Sequence, residues 1–161
     1  MFASFCSFGQ STRYMFHGQN ITHGGGTSYD ADAQALITAI IGTGETLTTT
    51  QQNGIDRFFR DIKGQANGSY TTYNYYTKFK ALYLMIGTTA ASQKFNAVSP
   101  LDADASFRLT WNGTVTHTAG YAAWNGTTGY AETHLTPSTS LTLNDTHIGY
   151  FTTTNNTPSN Q

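Results

Sequence analysis

Trp111-Asn112-Gly113-Thr114-Val115-Thr116-His117-Thr118-Ala119-Gly120-Tyr121-Ala122-Ala123-Trp124-Asn125-Gly126 alternates β-branched or aromatic residues with small and polar ones, and two Asn-Gly pairs punctuate it. Branched Cβ atoms and aromatic rings fit a pleated, half-buried surface. Asn-Gly supplies the positive φ angles of tight hairpin turns. Moving outward from this stretch, turn signals recur about every ten residues beyond Pro100. The expected strands are Ser106–Trp111, Thr114–Thr118, Tyr121–Trp124, Gly129–Leu135, Ser140–Leu143 and His147–Thr153. They read as an antiparallel β-sandwich or a large part of one, with Ile148–Phe151 left as an open edge.

Upstream the period changes. Asp30 or Asp32 caps a helix carrying Leu36, Ile37, Ile40 and Ile41, which Gly42 ends. A second helix starts near Thr48 or Thr49, where Thr49 and Gln52 have capping-box spacing. Its apolar face is Ile55, Phe58, Phe59 and Ile62, spaced i, i+3, i+4, i+7, and Gly64 stops it. A third helix is expected from Asn74, with the stripe Tyr75, Tyr76, Phe79, Leu82, Tyr83 and Ile86 and its stop at Gly87. On this reading the apolar run Ala81–Ile86 is a piece of core helix. Phe58, Phe59, Phe79, Leu82, Phe107, Leu109 and Leu135 are the expected core.

Residues 1–28 form an arm with Phe2, Phe5, Phe8, Tyr14 and Phe16, followed by the hinge Gly24-Gly25-Gly26. The spacing of these aromatics suits neither a helix face nor a strand. They are expected to anchor the chain on another protein, the alternative being that the arm folds back on its own domain. The division is therefore an arm at 1–28, a helical segment at 29–99 and an antiparallel β portion at 100–161, an α+β chain.

Charged residues make up 11% of the 161 positions, against about a quarter in ordinary soluble domains, and Thr, Asn, Ser and Gly take their place. Ten Tyr, ten Phe and two Trp argue for a packed core. A net charge of −1 lacks the electrostatic footprint of nucleic-acid binding. No apolar run approaches the roughly 20 residues of a membrane-spanning helix, so a membrane partner is not expected either. The start Met-Phe-Ala-Ser-Phe-Cys has no basic region before an apolar one, so synthesis in the cytoplasm is the expectation. The single Cys6 agrees with a reducing compartment. Sequons at Asn20, Asn67, Asn112, Asn125, Asn144 and Asn155 arise readily in so Asn- and Thr-rich a chain.

Chemistry is sparse in the pattern. Glu132 and His134 stand two apart on an expected strand and so share a face, where a metal or a proton could be held; a solvated Glu-x-His is the commoner meaning. Asp102 and Asp104 lack the rest of a calcium loop and read as capping or turn residues. His117 and His147 fall within strands and are candidates for a buried, hydrogen-bonded pair. No nucleophile elbow, phosphate loop or zinc motif is present. The chain is therefore expected to have no catalytic residues, no cofactor and no metal. Tyr121, Trp124 and Tyr130 are candidate glycan contacts, though aromatics of this kind more often serve a core.

The order of several segments is informative together. Asp30-Ala-Asp-Ala-Gln-Ala-Leu-Ile-Thr-Ala, Thr50-Gln-Gln-Asn-Gly-Ile, Lys78-Phe-Lys-Ala-Leu-Tyr, Gln93-Lys-Phe-Asn and Leu101-Asp-Ala-Asp-Ala-Ser-Phe-Arg-Leu resemble a domain of tailed-bacteriophage virion structural proteins. The resemblance continues through Thr116-His-Thr, Trp124-Asn-Gly-Thr-Thr-Gly-Tyr-Ala-Glu-Thr, Leu135-Thr-Pro-Ser and His147-Ile-Gly-Tyr-Phe, covering about residues 30–153. It implies a short helical segment leading into a concanavalin A-like, jelly-roll-type sandwich that is incomplete within these residues. It also implies a fibre, spike or decoration protein on head, neck or tail, in contact with other virion proteins and copies of itself, and it brings no catalytic residues. The rival function is a lectin-like module for host-surface glycans.

Overall fold

The computed structural model describes residues 2–5, 28–65 and 73–151, the first of these stretches through its backbone. Asp30 caps α1 (Ala31–Ile41), its side chain accepting from the amides of Asp32 and Ala33, and Gly42 follows the last turn. Ala33, Leu36, Ile37 and Ile40 form its buried stripe. In α2 (Thr49–Ile62) the capping box is Thr48 with Gln51, one residue before the expected pair. Gln52 instead donates to the Leu47 carbonyl at 2.9 Å. Ile55 and Phe59 are buried, and Phe58 and Ile62 pack partly covered against the same core.

The expected third helix is not formed. Tyr76–Lys78 makes one 3-10 turn, and the chain then runs into a strand, β2 (Phe79–Tyr83), after which Leu84–Ile86 follow without helix, Met85 holding a left-handed φ of +48°. Leu82, Leu84 and Ile86 join the core built on α1 and α2, while Ala81, Tyr83 and Met85 join a second core on the other side. A strand buried on both faces reads as a continuous apolar run, which periodicity alone does not separate from a buried helix. The side chains alternate with period two between two cores.

The N-terminal strand β1 (Phe2–Phe5) pairs in parallel with β2 on one side and with β7 (His147–Tyr150) on the other. Thus, within the segment expected to be an arm, Phe2–Phe5 is the centre strand of a three-stranded sheet. This sheet is parallel, where the sequence led to antiparallel pairing throughout. Antiparallel pairing is confined to β3 (Thr110–Asn112) with β6 (Tyr130–Glu132) and β4 (Val115–Thr118) with β5 (Tyr121–Trp124).

These four strands nest into one ribbon whose tip is Ala119-Gly120, with Gly120 at φ +84°. The two Asn-Gly pairs therefore do not close hairpins. They fall where the ribbon is interrupted between its inner and outer halves, and there Gly113 lies against Thr128 and Gly129. A Cβ on Gly113 would lie 2.1 Å from the Thr128 carbonyl oxygen, and one on Gly129 would lie 2.3 Å from that of Thr114. Asn125 organises the wider side, its Oδ1 accepting from the amides of Thr127, Thr128 and Gly129 at 2.9–3.1 Å.

Two further expected strands are altered. Ser106–Trp111 opens with a 3-10 turn, Asp104–Ser106, and a left-handed Phe107, leaving only β3 extended. Ser140–Leu143 is the end of a short helix, α3 (Pro137–Ser140), followed by a turn. Pro137 occupies the first helical position, where its fixed φ suits a helix and its missing N–H costs nothing.

The class is thus mixed α+β. Of the expected core, Phe59, Leu82 and Leu109 are fully buried, and Phe58, Phe79, Phe107 and Leu135 line its margins. The ribbon is pinned to β2 by two buried amides that its own pattern does not announce. Asn96 Oδ1 accepts from the Leu82 amide at 2.9 Å while its Nδ2 donates to the Ser106 carbonyl at 3.0 Å. Gln93 Nε2 donates to the carbonyls of Gly87 at 3.0 Å, Thr118 at 2.7 Å and Tyr121 at 3.3 Å.

Candidate functional site

The turn around Asp104 and the loop after β6 enclose an open groove of about 550 Å³, with Asp104, Phe107, Glu132, His134 and Leu135 on its walls. Two of these, Phe107 at φ +57° and His134 at φ +55°, hold the left-handed backbone region that bulky residues rarely occupy. Such conformations persist where the surroundings enforce them. For Phe107 the enforcement is visible: the buried Tyr83 hydroxyl donates to its carbonyl at 2.5 Å. Burial pushes the Tyr83 hydroxyl pKa well above the ordinary phenol value, so it stays a donor.

Polar groups of the groove are held in place by side chains behind its walls. Arg108 Nη2 lies 2.8 Å from Asp104 Oδ1, and its Nε reaches Asp102 Oδ1 at 3.6 Å. Lys94 adds a 2.6 Å bond to Asp102. Asp102 and Asp104 thus serve a turn and an ion-pair network. His134 Nε2 is 2.8 Å from the Thr110 hydroxyl, which fixes the ring. The same nitrogen is 3.5 Å from Asp104, and Nδ1 is 3.8 Å from Glu132. Glu132 and His134 do meet, but not as alternate residues of one strand, because β6 ends at Glu132 and the left-handed turn brings the ring back.

The imidazole stands between the two carboxylates, so the three groups do not point at a common centre. Among the described residues no three His, Cys, Asp or Glu side chains converge as a metal site would require. The carboxylates of Asp104 and Glu132 on its walls can accept hydrogen bonds from a ligand.

The other candidates fall elsewhere. His117 does not pair with His147, which is exposed on β7. It bonds Gln93 Oε1 through Nδ1 at 2.8 Å and packs edge-on against Trp111, ring centroids 4.6 Å apart. Since Gln93 Nε2 faces carbonyls, Nδ1 of His117 carries the proton. Burial lowers the His117 pKa below the ordinary imidazole value. Tyr121, Trp124 and Tyr130 are all exposed. Tyr121 and Trp124, three apart on β5, lie on opposite faces of the ribbon, so they make no common platform. Trp124 instead leans toward Trp111, centroids 6.3 Å apart. Of the expected anchoring residues, Phe2 and Phe5 end β1, whereas Phe8, Tyr14 and Phe16 lie outside the described residues, as do Cys6, His17 and His23.

Thr110 and Arg108, which position the groove's His and Asp, carried no signal in the sequence: a Thr and an Arg in a strand-like run are ordinary. Comparison with protein-family models, with curated proteins and with solved structures gives no match.

Proposed function

We propose that the chain is a non-catalytic structural component of a tailed-bacteriophage virion, a head or tail fibre, spike or capsid decoration assembled in the bacterial cytoplasm. The observation that carries this reading is the apolar surface at the C-terminal end of the described chain. Leu143 is 88% exposed and Tyr150 77% exposed, and Ile148 and Phe151 beside them are exposed as well. Three of the four lie on or next to β7, an edge strand whose one described neighbour is β1. Apolar side chains gathered at an open strand edge mark a surface that meets another chain. Strands from neighbouring copies or other virion proteins would complete a sandwich there. The low charge suits a surface surrounded by copies of itself.

The test is incorporation. Purified particles should contain the chain at a fixed stoichiometry, and the double variant Ile148→Asp, Tyr150→Ser should remain folded yet be lost from them. Particles that carry the double variant at normal occupancy sink this reading.

A second reading, a lectin-like module for host-surface glycans, is favoured by one observation: the groove beside His134 combines hydrogen-bond acceptors with apolar walls. The two readings are compatible, since a displayed domain also binds.

A further inference from the structure

We propose that the groove between the Asp104–Phe107 turn and the loop after β6 binds a neutral saccharide ring, its hydroxyls donating to Asp104 and Glu132 and its C–H face lying on Phe107 and Leu135. The proposal rests on the lectin-like reading but places the ligand away from Tyr121, Trp124 and Tyr130.

The volume of about 550 Å³ falls in the range of small-molecule sites. The choice of ligand follows from the walls. Among the described residues the walls carry two carboxylates and no Lys or Arg, and Arg108 behind them is taken up by Asp104, so the groove turns away anions. A metal ion is disfavoured because His134 directs different nitrogens at Asp104 and at Glu132, 3.5 and 3.8 Å away, and so separates the carboxylates. What two carboxylates on either side of a fixed ring suit is a set of hydroxyl donors, since O–H to carboxylate bonds are short and charge-assisted.

The acceptors are also held in place. Arg108 braces Asp104 at 2.8 Å and Thr110 braces His134 at 2.8 Å, so neither group has to be ordered by the ligand. The apolar side of the groove is a ring and an aliphatic chain, Phe107 and Leu135, both packed on the second core and therefore rigid. Sugar rings present polar edges and an apolar face, and this groove has one of each.

The experiment titrates the whole chain, labelled with nitrogen-15, with the methyl glycosides of glucose, galactose, mannose and rhamnose and with N-acetylglucosamine. At least one of these should shift the amides of residues 104–107 and 132–136 and saturate at roughly millimolar concentration, the weak end of specific binding. Glu132→Gln and Asp104→Asn should each weaken that binding about tenfold, the effect of losing one charge-assisted hydrogen bond. Both side chains are exposed and the changes isosteric, so the remaining amide spectrum should be preserved. Trp124→Ala should leave the binding unchanged. Binding that disappears in Trp124→Ala but survives both carboxamide variants overturns the groove while leaving the lectin-like reading in place. Absence of any shift with all five sugars overturns both.

Discussion

Leu82 and Tyr83 are consecutive residues of β2 that pack into different cores, Leu82 with α1 and α2 and Tyr83 beneath the β3–β6 ribbon. One strand therefore couples the helical and ribbon halves. Leu82→Ala should cost about 2 to 5 kcal/mol through the cavity it leaves. Tyr83→Phe keeps the ring but removes the 2.5 Å bond to the Phe107 carbonyl, and should cost about 1 to 3 kcal/mol. Because β2 is shared, either change should lower a single cooperative unfolding transition. Two separated transitions in denaturant would show that the halves fold independently.

Gly113 and Gly126 both have positive φ, +66° and +77°, yet only the first is crowded. Nothing lies within 4 Å of a Cβ placed on Gly126, so Gly126→Ala should cost about 1 kcal/mol, the backbone term alone. Gly113→Ala meets the Thr128 carbonyl at 2.1 Å and must push the ribbon apart, so its loss should be at least twice as large. Equal losses in thermal melts would show that the strands do not approach so closely at this point.

Charging His117 requires a partly buried imidazole to take a proton beside Trp111. Its folded pKa lies below the ordinary 6.5, so the unfolded chain binds protons first as the pH drops. The contribution of neutral His117 is complete above about pH 6.5 and is lost as the pH falls through the window beneath it. Stability measured from pH 8 to pH 5 should therefore decline, and His117→Gln should flatten the decline. A variant with an unchanged slope would place the titrating group elsewhere.

Asp30 answers to the opposite end of the scale. Burial alone would raise its pKa, but the bond from Lys63 and those from the Ala33 and Asp32 amides together lower it below the ordinary carboxylate value. Its stabilisation is present above pH 3.8 and disappears as the solution is acidified through the lowered value. Asp30→Asn retains a good helix cap while discarding the 2.6 Å ion pair with Lys63, and should cost about 1 to 2 kcal/mol at neutral pH. Once the pH has fallen below the lowered value, the difference between the two proteins should vanish. A gap that persists in acid would assign the loss to the cap instead.

Truncation of residues 1–23 separates two roles of the N-terminus. It removes β1, the strand between β2 and β7, and exposes the backbone edges of both. The shortened chain should lose protection from hydrogen exchange at the amides of Phe79–Tyr83 and His147–Tyr150. Full protection at those amides would mean that residues 1–23 act only outside the domain.

The sequence by itself determined the first two helices, because capping residues, apolar stripes and terminal glycines act within a few residues of one another: Asp30 to Gly42 and Thr48 to Gly64 stand where those signals place them. It also determined the strand Tyr121–Trp124, found with the expected bounds, and the placement of Leu109 and Phe59 in a core. Only the tertiary structure decided that Ala81–Ile86 holds a strand end and no helix, since an apolar run satisfies either period until both of its faces are seen to be covered. The same holds for the ribbon, where Gly113 and Gly126 have positive φ but neither Asn-Gly pair closes a hairpin, and Gly113 instead lies against Thr128 and Gly129. Glu132, His134 and Asp104 meet because a left-handed turn and a 3-10 turn close on each other, 28 residues apart along the chain from Asp104 to Glu132. Contacts over such separations depend on how the elements pack, a physical relation that no local pattern of residues contains.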